Sequence, residues 1–459
     1  MKKTIMALTA TTMLCSMTTA ALADEAALKA EVAELKARLQ KLETLLDNVE
    51  TRTVAAEQAA VKAEVAATEA RTAKVPETGA PQGGDVKVTW AGGAPRFETA
   101  DGAHSFKISG RAALDYTHFV DDKRDFPSGS DVRRFWLGAE GQIAHDWKWK
   151  LAYDLSNDSL QDAYLSYEGF DNIAITAGNQ NELNSLEQIS GNLHTAFLEN
   201  SAMHSAFNPG RNLGVTGKLY GDSWSVSAGA FGEGESDDRN GPGNEDHAFG
   251  ARATYAPVHN GDTIVHTGLS ARHFKPTDDV VRFRSRPESA QANNFWQVDT
   301  GNINNADNSQ TYGAELAMTH KNFALQAEYM RTEVNRSAGS DPAFDGYYIQ
   351  GSWFPTGENR SYSVKNGAFG RVKPAAPLSK GGFGAWELAA RYSHLDLTDS
   401  GINGGEADNI SLGLNWYPEG NVKFQMNYVR ANTDNSALNG AAIPDDDPQA
   451  IAIRAQYDF

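Results

Sequence analysis

The residues able to do chemistry are charged side chains that alternate with apolar ones. Where Phe106, Ile108 and Leu114 share one face, Lys107, Arg111 and Asp115 fall on the other. The same parity puts Arg134 and Glu140 opposite Phe135 and Leu137. Arg133 has the parity of Phe135, so it reaches the polar face only at a strand end or a bulge. Lys148, Lys150, Asp154, Asp162, Lys218, Arg272, Glu328, Glu387, Arg391 and Lys423 also fall on polar faces. Arginine keeps its charge and offers planar, bidentate donors, so a track of arginines along a wet path would guide anions. A mixed-charge lining without a specific site fits the same pattern equally well.

Enzyme chemistry has no local signal. The sequence contains no H-E-x-x-H, Walker loop or G-x-S-x-G, and its 11 histidines are scattered. Acidic pairs say little in a chain with 59 acidic and 41 basic residues. No catalytic residue, metal ligand set or cofactor is assigned. The formal charge of −18 becomes about −20 once Lys2 and Lys3 are removed with a leader, which argues against a nucleic-acid partner.

The elements that position these side chains begin after that leader. Lys2 and Lys3 precede an apolar stretch, and Ala21-Leu22-Ala23 fits a signal-peptidase site, so residues 1–23 read as a signal peptide. The single cysteine, Cys15, lies within it. In residues 24–73, Leu28, Val32, Leu35, Leu39, Leu42, Leu46 and Val49 step by four and three, as in an a/d seam. Alanines continue that register from Ala56 to Ala70, giving an α-helical coiled coil of roughly 60 Å at about 1.5 Å per residue. Dimer, trimer and higher states all satisfy such a seam. Residues 74–104 form a linker and lead-in, rich in Pro and Gly at first.

Residues 105–459 read as one β-domain. Trp147, Trp149, Leu151, Tyr153 and Leu155 alternate with polar residues, as do Trp386, Leu388, Ala390 and Tyr392, and Ile410, Leu412, Leu414 and Trp416. Fifteen or sixteen such segments can be counted. A soluble sandwich would alternate too, but small residues on the polar faces suit a wet lumen. The chain also ends on an alternating strand with terminal Phe459, like the C-terminal signal of outer-membrane barrels. Asp171-Asn172 and Gly221-Asp222 read as tight turns, and residues 232–247, 302–310, 337–346, 398–409 and 431–449 as long polar loops.

Five pieces in order resemble the phosphate-selective porin O and P family. They are Phe106-Lys107-Ile108-Ser109-Gly110-Arg111, Asp131-Val132-Arg133-Arg134-Phe135-Trp136, Asp146-Trp147-Lys148-Trp149-Lys150-Leu151, Leu160-Gln161-Asp162-Ala163-Tyr164-Leu165 and Asn208-Pro209-Gly210-Arg211-Asn212-Leu213. The resemblance implies an all-β fold, a 16-stranded antiparallel transmembrane β-barrel, here behind the coiled coil. It also implies a homotrimer in the outer membrane, a pore narrowed by an infolded loop at residues 180–209, and an arginine track matched by Arg111, Arg133, Arg134 and Arg211. Asp162 and Glu182 join these as acidic pore-lining candidates. The chain departs from the family at Asn181, where a lysine is usual, and at Asn200, where an arginine is usual, while Glu182, Glu187 and Glu199 remain. A general or weakly selective porin for small solutes and ions, phosphate or other anions among them, is therefore expected. Lipid, lipopolysaccharide and, through a periplasmic coiled coil, peptidoglycan are the expected partners. A structural tether with a largely closed barrel, and a barrel enzyme, are the competing classes.

Overall fold

The computed structural model describes residues 86–459 except 121–122, 235–244, 290–294, 435–436, 439–440 and 443–444, together with Lys36 in a helix. The leader and, apart from Lys36, the coiled coil lie outside the described residues. The chain divides into two units, residues 1–83 and 84–459, and the second holds the barrel.

The period-two segments form strands whose outward residues are apolar and whose inward residues are polar. The first eight are β1 (Ser105–Val120), β2 (Gly129–Ile143), β3 (Trp147–Asp154), β4 (Ser159–Phe170), β5 (Ile173–Asn181), β6 (Arg211–Tyr220), β7 (Trp224–Phe231) and β8 (His247–His259). The second eight are β9 (Thr263–Lys275), β10 (Ala306–His320), β11 (Phe323–Arg336), β12 (Ala343–Trp353), β13 (Ala385–Asp399), β14 (Ile402–Glu419), β15 (Val422–Asp434) and β16 (Gln449–Asp458). Each pairs antiparallel with the next, and β16 returns to β1 from Gln449↔Val120 to Asp458↔Arg111. The wall is thus a closed 16-stranded β-barrel with no open edge towards lipid. Phe459 and Gly110 then exchange backbone hydrogen bonds of 3.0 Å each way. A Cβ on Gly110 would lie 2.4 Å from the Phe459 ring, so only glycine fits beneath it.

Outward side chains such as Leu114, Leu269, Leu316 and Ile410 are exposed, as a lipid-facing surface requires. Aromatic stacks gather at the short-turn end: Trp386 on Trp416 at 5.7 Å, Trp416 on Phe424 at 5.5 Å and Phe106 on Trp149 at 6.1 Å. A hairpin of Val86–Ala91 and Ala94–Thr99 joins β1 at that end, from Arg96↔Lys107 to Glu98↔Ser105.

Asp171-Asn172 and Gly221-Asp222 are tight turns, as expected. Two expected loops are mostly strand. Residues 398–409 hold only the turn Ser400-Gly401, and β10 already begins at Ala306. Polar residues continue both strands because, beyond the lipid band, each strand face meets water or other protein.

Three connections fold inward. Residues 182–210 carry helices α1 (Leu186–Ser190) and α2 (Ala202–Phe207). Residues 276–305 carry two short ladders, Val280–Val281 with Ile303–Asn304 and Arg284–Ser285 with Val298–Asp299. Residues 354–384, unexpectedly long for the short-turn end, carry a hairpin of Arg360–Ser363 and Ala368–Val372. Phe207, Val298 and Ile303 pack with Met330, Phe344 and Leu395 of the wall, and Phe369 packs with Leu186, Ile264 and Ala317. The lumen beside β11 to β13 is therefore filled, a cavity of about 320 Å³ remains beside β9 and β10, and larger open space remains towards β1 to β6.

Candidate functional site: the pore and its neck

The first inward connection narrows the lumen where the resemblance placed its loop. Ser185 caps α1 by accepting from the Glu187 and Gln188 N–H groups, and Ser201 caps α2 by accepting from that of His204. The backbone between the helices is held by inward polar side chains of β14 to β16. Lys423 Nζ donates to the Thr195 carbonyl (2.6 Å), Asn415 Nδ2 to that of Ala196 (2.8 Å) and Arg454 Nη1 to that of Leu198 (2.7 Å), while Asn427 Oδ1 accepts from the Leu198 N–H (3.1 Å). Polar positions that suggested a wet lumen thus bind loop backbone in this sector. Glu187 is buried, which pushes its carboxyl up to about 7 against the pull of Arg391. It accepts from the Ser201 N–H (3.2 Å) and Oγ (2.9 Å), tying α1 to the cap of α2.

Two adjoining chambers lie along the open side of the lumen. The outer, about 400 Å³, is bounded in part by Arg133, Arg134, Glu199 and Arg286. The inner, about 890 Å³, opens at the short-turn end beside Gly93 and Asn421. Both touch Trp136, Gly191, Asn192 and Arg211, which mark the neck between them. Arg111 lies 3.8 Å from the Trp136 ring centroid and Arg211 5.2 Å from it. Arg111 Nη1 donates to Asn192 Oδ1 at 2.8 Å, whereas its Nε and Nη2 have no protein partner although the residue is only 7 % exposed. Seven Lys and Arg side chains line the inner chamber against three carboxylates (Glu140, Asp162 and Asp458), so a strongly acidic chain encloses a basic passage. His194 adds no charge at neutral pH, since burial, aided by Arg371, pushes it down to about 3.

The sequence candidates separate here. Arg111, Arg133, Arg134 and Arg211 all line this path. Arg133 reaches it through a bulge: Ala113 pairs with Arg134 and Leu114 with Val132, so Arg133 is the extra residue and both arginines turn inward. Asp162 bounds the inner chamber, bound to Arg211 (2.9 Å) and Lys150 (2.8 Å). Glu182 borders neither of these chambers. Arg272 holds it at 2.8 Å and Asn212 at 2.6 Å, burying it against the wall. Four cations that border this path were missed: Arg286, Arg371 and Lys373 sit in inward connections and Arg96 in the hairpin before β1, none of which carried a periodic signal.

The phosphate-selective porin O and P family model matches residues 106–459. An uncharacterised protein of Caulobacter vibrioides is 33 % identical over 370 residues, covering 77 % of this chain and 73 % of its own. Porin O of Pseudomonas aeruginosa is 26 % identical over 420 residues, covering 82 % and 93 %. The trimer form of OmpT, an outer-membrane protein of Vibrio cholerae, shares the fold at TM-score 0.51 and 12 % identity, over 78 % of this chain and 100 % of that one. The family match takes in every strand of the barrel, and the chain therefore belongs to the phosphate-selective porin O and P family and forms an outer-membrane channel.

Proposed function

We propose that this channel passes small hydrophilic solutes by diffusion with a weak preference for anions, and without a dedicated phosphate site. The observation that carries the reading is the neck. A permeating anion passes Arg211 at the neck and the charge of Arg111 beside it in the inner chamber, both guanidiniums lying by the Trp136 ring. A positive charge already fixed by stacking and by Asn192 needs no reorganisation to favour a passing anion. Two features limit affinity. Asn181 and Asn200 stand where the family's usual cations would be, and Asp162 binds Arg211 and Lys150. No step requires a catalytic group; the solute gradient drives transport.

The assembly reading is a homotrimer held by a periplasmic coiled coil, supported by the heptad seam of residues 28–49. Single-channel recording in planar bilayers tests the function. In a potassium chloride gradient the reversal potential should have the sign for chloride, phosphate should block only weakly, and conductance should close in steps of three. Cation preference would overturn the selectivity reading. No conductance from a folded barrel would favour a structural tether instead.

A further inference from the structure

The outer chamber contains an arginine cluster that already holds an anion, and the anion belongs to the chain. Glu199, at the tip of the inward loop, accepts from Arg133 Nε and Nη2 at 3.0 Å each, in a bidentate fork. Arg454 Nη2 reaches the same carboxylate at 2.9 Å, and Arg134 Nη1 stands 3.7 Å away. Three guanidiniums from β2 and β16 thus converge on one carboxyl group, as they would on a bound oxyanion. The cluster opens to solute: Glu199, Arg133 and Arg134 all border the outer chamber.

We infer that Glu199 is a specificity-determining residue, a built-in competitor that fills the cluster and lets anions pass it without being held. This rests on the anion-guiding reading above and deepens it. Arg454 also binds Asp115 through two contacts of 2.7 Å, so the cluster sets three guanidiniums against two carboxylates. Without the Glu199 charge, Arg133 and Arg134 would each present free donors to the chamber. A tetrahedral dianion could then bridge them, because its oxygens accept from two planar forks at once. The loop does not depend on that side chain for its place. Its backbone is held by Lys423, Asn415, Asn427 and Arg454, and Arg391 donates to the carbonyl of Glu199 itself at 3.1 Å. Charge at this position can therefore change with the constriction left in shape.

The test is block of chloride current by inorganic phosphate in single trimers, comparing wild type with Glu199→Gln, which keeps the size and one acceptor oxygen. The expected result is a blocking concentration at least about tenfold lower in the variant, the equivalent of one added charge-assisted hydrogen bond. An unchanged blocking concentration in a variant that still prefers chloride would overturn the inference and leave the selectivity reading standing. Cation preference in the wild type would instead overturn that reading. A second measurement needs no variant. In bromide-soaked crystals of the wild type, anomalous signal is expected beside Arg111 and absent between Arg133 and Arg134. Bromide between those two arginines, with Glu199 in place or displaced, would overturn the inference.

Discussion

At the scale of single residues, charge state and partner decide what each group does. Arg111 borders the inner chamber beside the neck and has no carboxylate partner among the described residues, so Arg111→Gln should weaken anion preference directly. A unit charge about 4 Å from a permeating ion in water is worth about 1 kcal/mol, so the chloride-to-potassium permeability ratio should fall about fivefold. An unchanged ratio would move the selective point away from the neck. Glu187 gives a pH dependence. Its carboxyl sits at about 7 in the folded protein because burial disfavours the anion, against an ordinary 4.5. A raised folded value means that the native state binds the extra proton. Stability from this group is thus complete below about 4.5, is lost as pH rises, and is gone above about 7. The unfolding temperature should therefore fall between pH 5 and pH 8, and Glu187→Gln should flatten that slope. Equal slopes in both proteins would assign the effect to other groups.

Elements decide how much of this could be read without coordinates. Alternation located Arg111, Arg134 and Asp162 because a strand has only two faces, and Phe106, Ile108 and Phe135 marked the lipid side. Arg133 needed a bulge, which two consecutive arginines beside an apolar Phe135 allowed but did not require. The inward connection at residues 354–384 left no trace, since its hairpin is short and its contacts are distant in sequence. Arg252 donates to the carbonyls of Asn366 (3.0 Å) and Gly367 (2.8 Å), Arg371 pairs with Asp458, and the Phe369 N–H donates to Ser190 Oγ (3.1 Å). These bonds join it to the wall and to α1 from the short-turn end. Replacing residues 359–373 by a short Gly-Ser turn should raise single-channel conductance and weaken anion preference, because Arg371 and Lys373 leave the inner chamber with it. Unchanged conductance would mean that the first two inward connections close that sector alone.

At the scale of the whole molecule, the proposed coiled coil and the barrel would associate through different driving forces. In the barrel, apolar side chains such as Leu114, Leu269 and Ile451 face outward. Lipid tails are as apolar as these side chains, so contact between barrels gains little from the hydrophobic effect. The leucine seam of residues 28–49 lies in water if the coil is periplasmic, and there each fully buried leucine contributes roughly 1.5–3 kcal/mol. The proposed coil, not the wall, should then supply most of the sequence-encoded free energy of the proposed trimer. Deleting residues 25–72 behind an intact leader should leave a folded, conducting barrel, because closure depends on the β1–β16 seam. Its trimer should dissociate in detergent at a lower temperature, and retention with the cell wall should fall. A deletion protein with both properties unchanged would transfer the assembly role to the barrel wall and leave the coil without one.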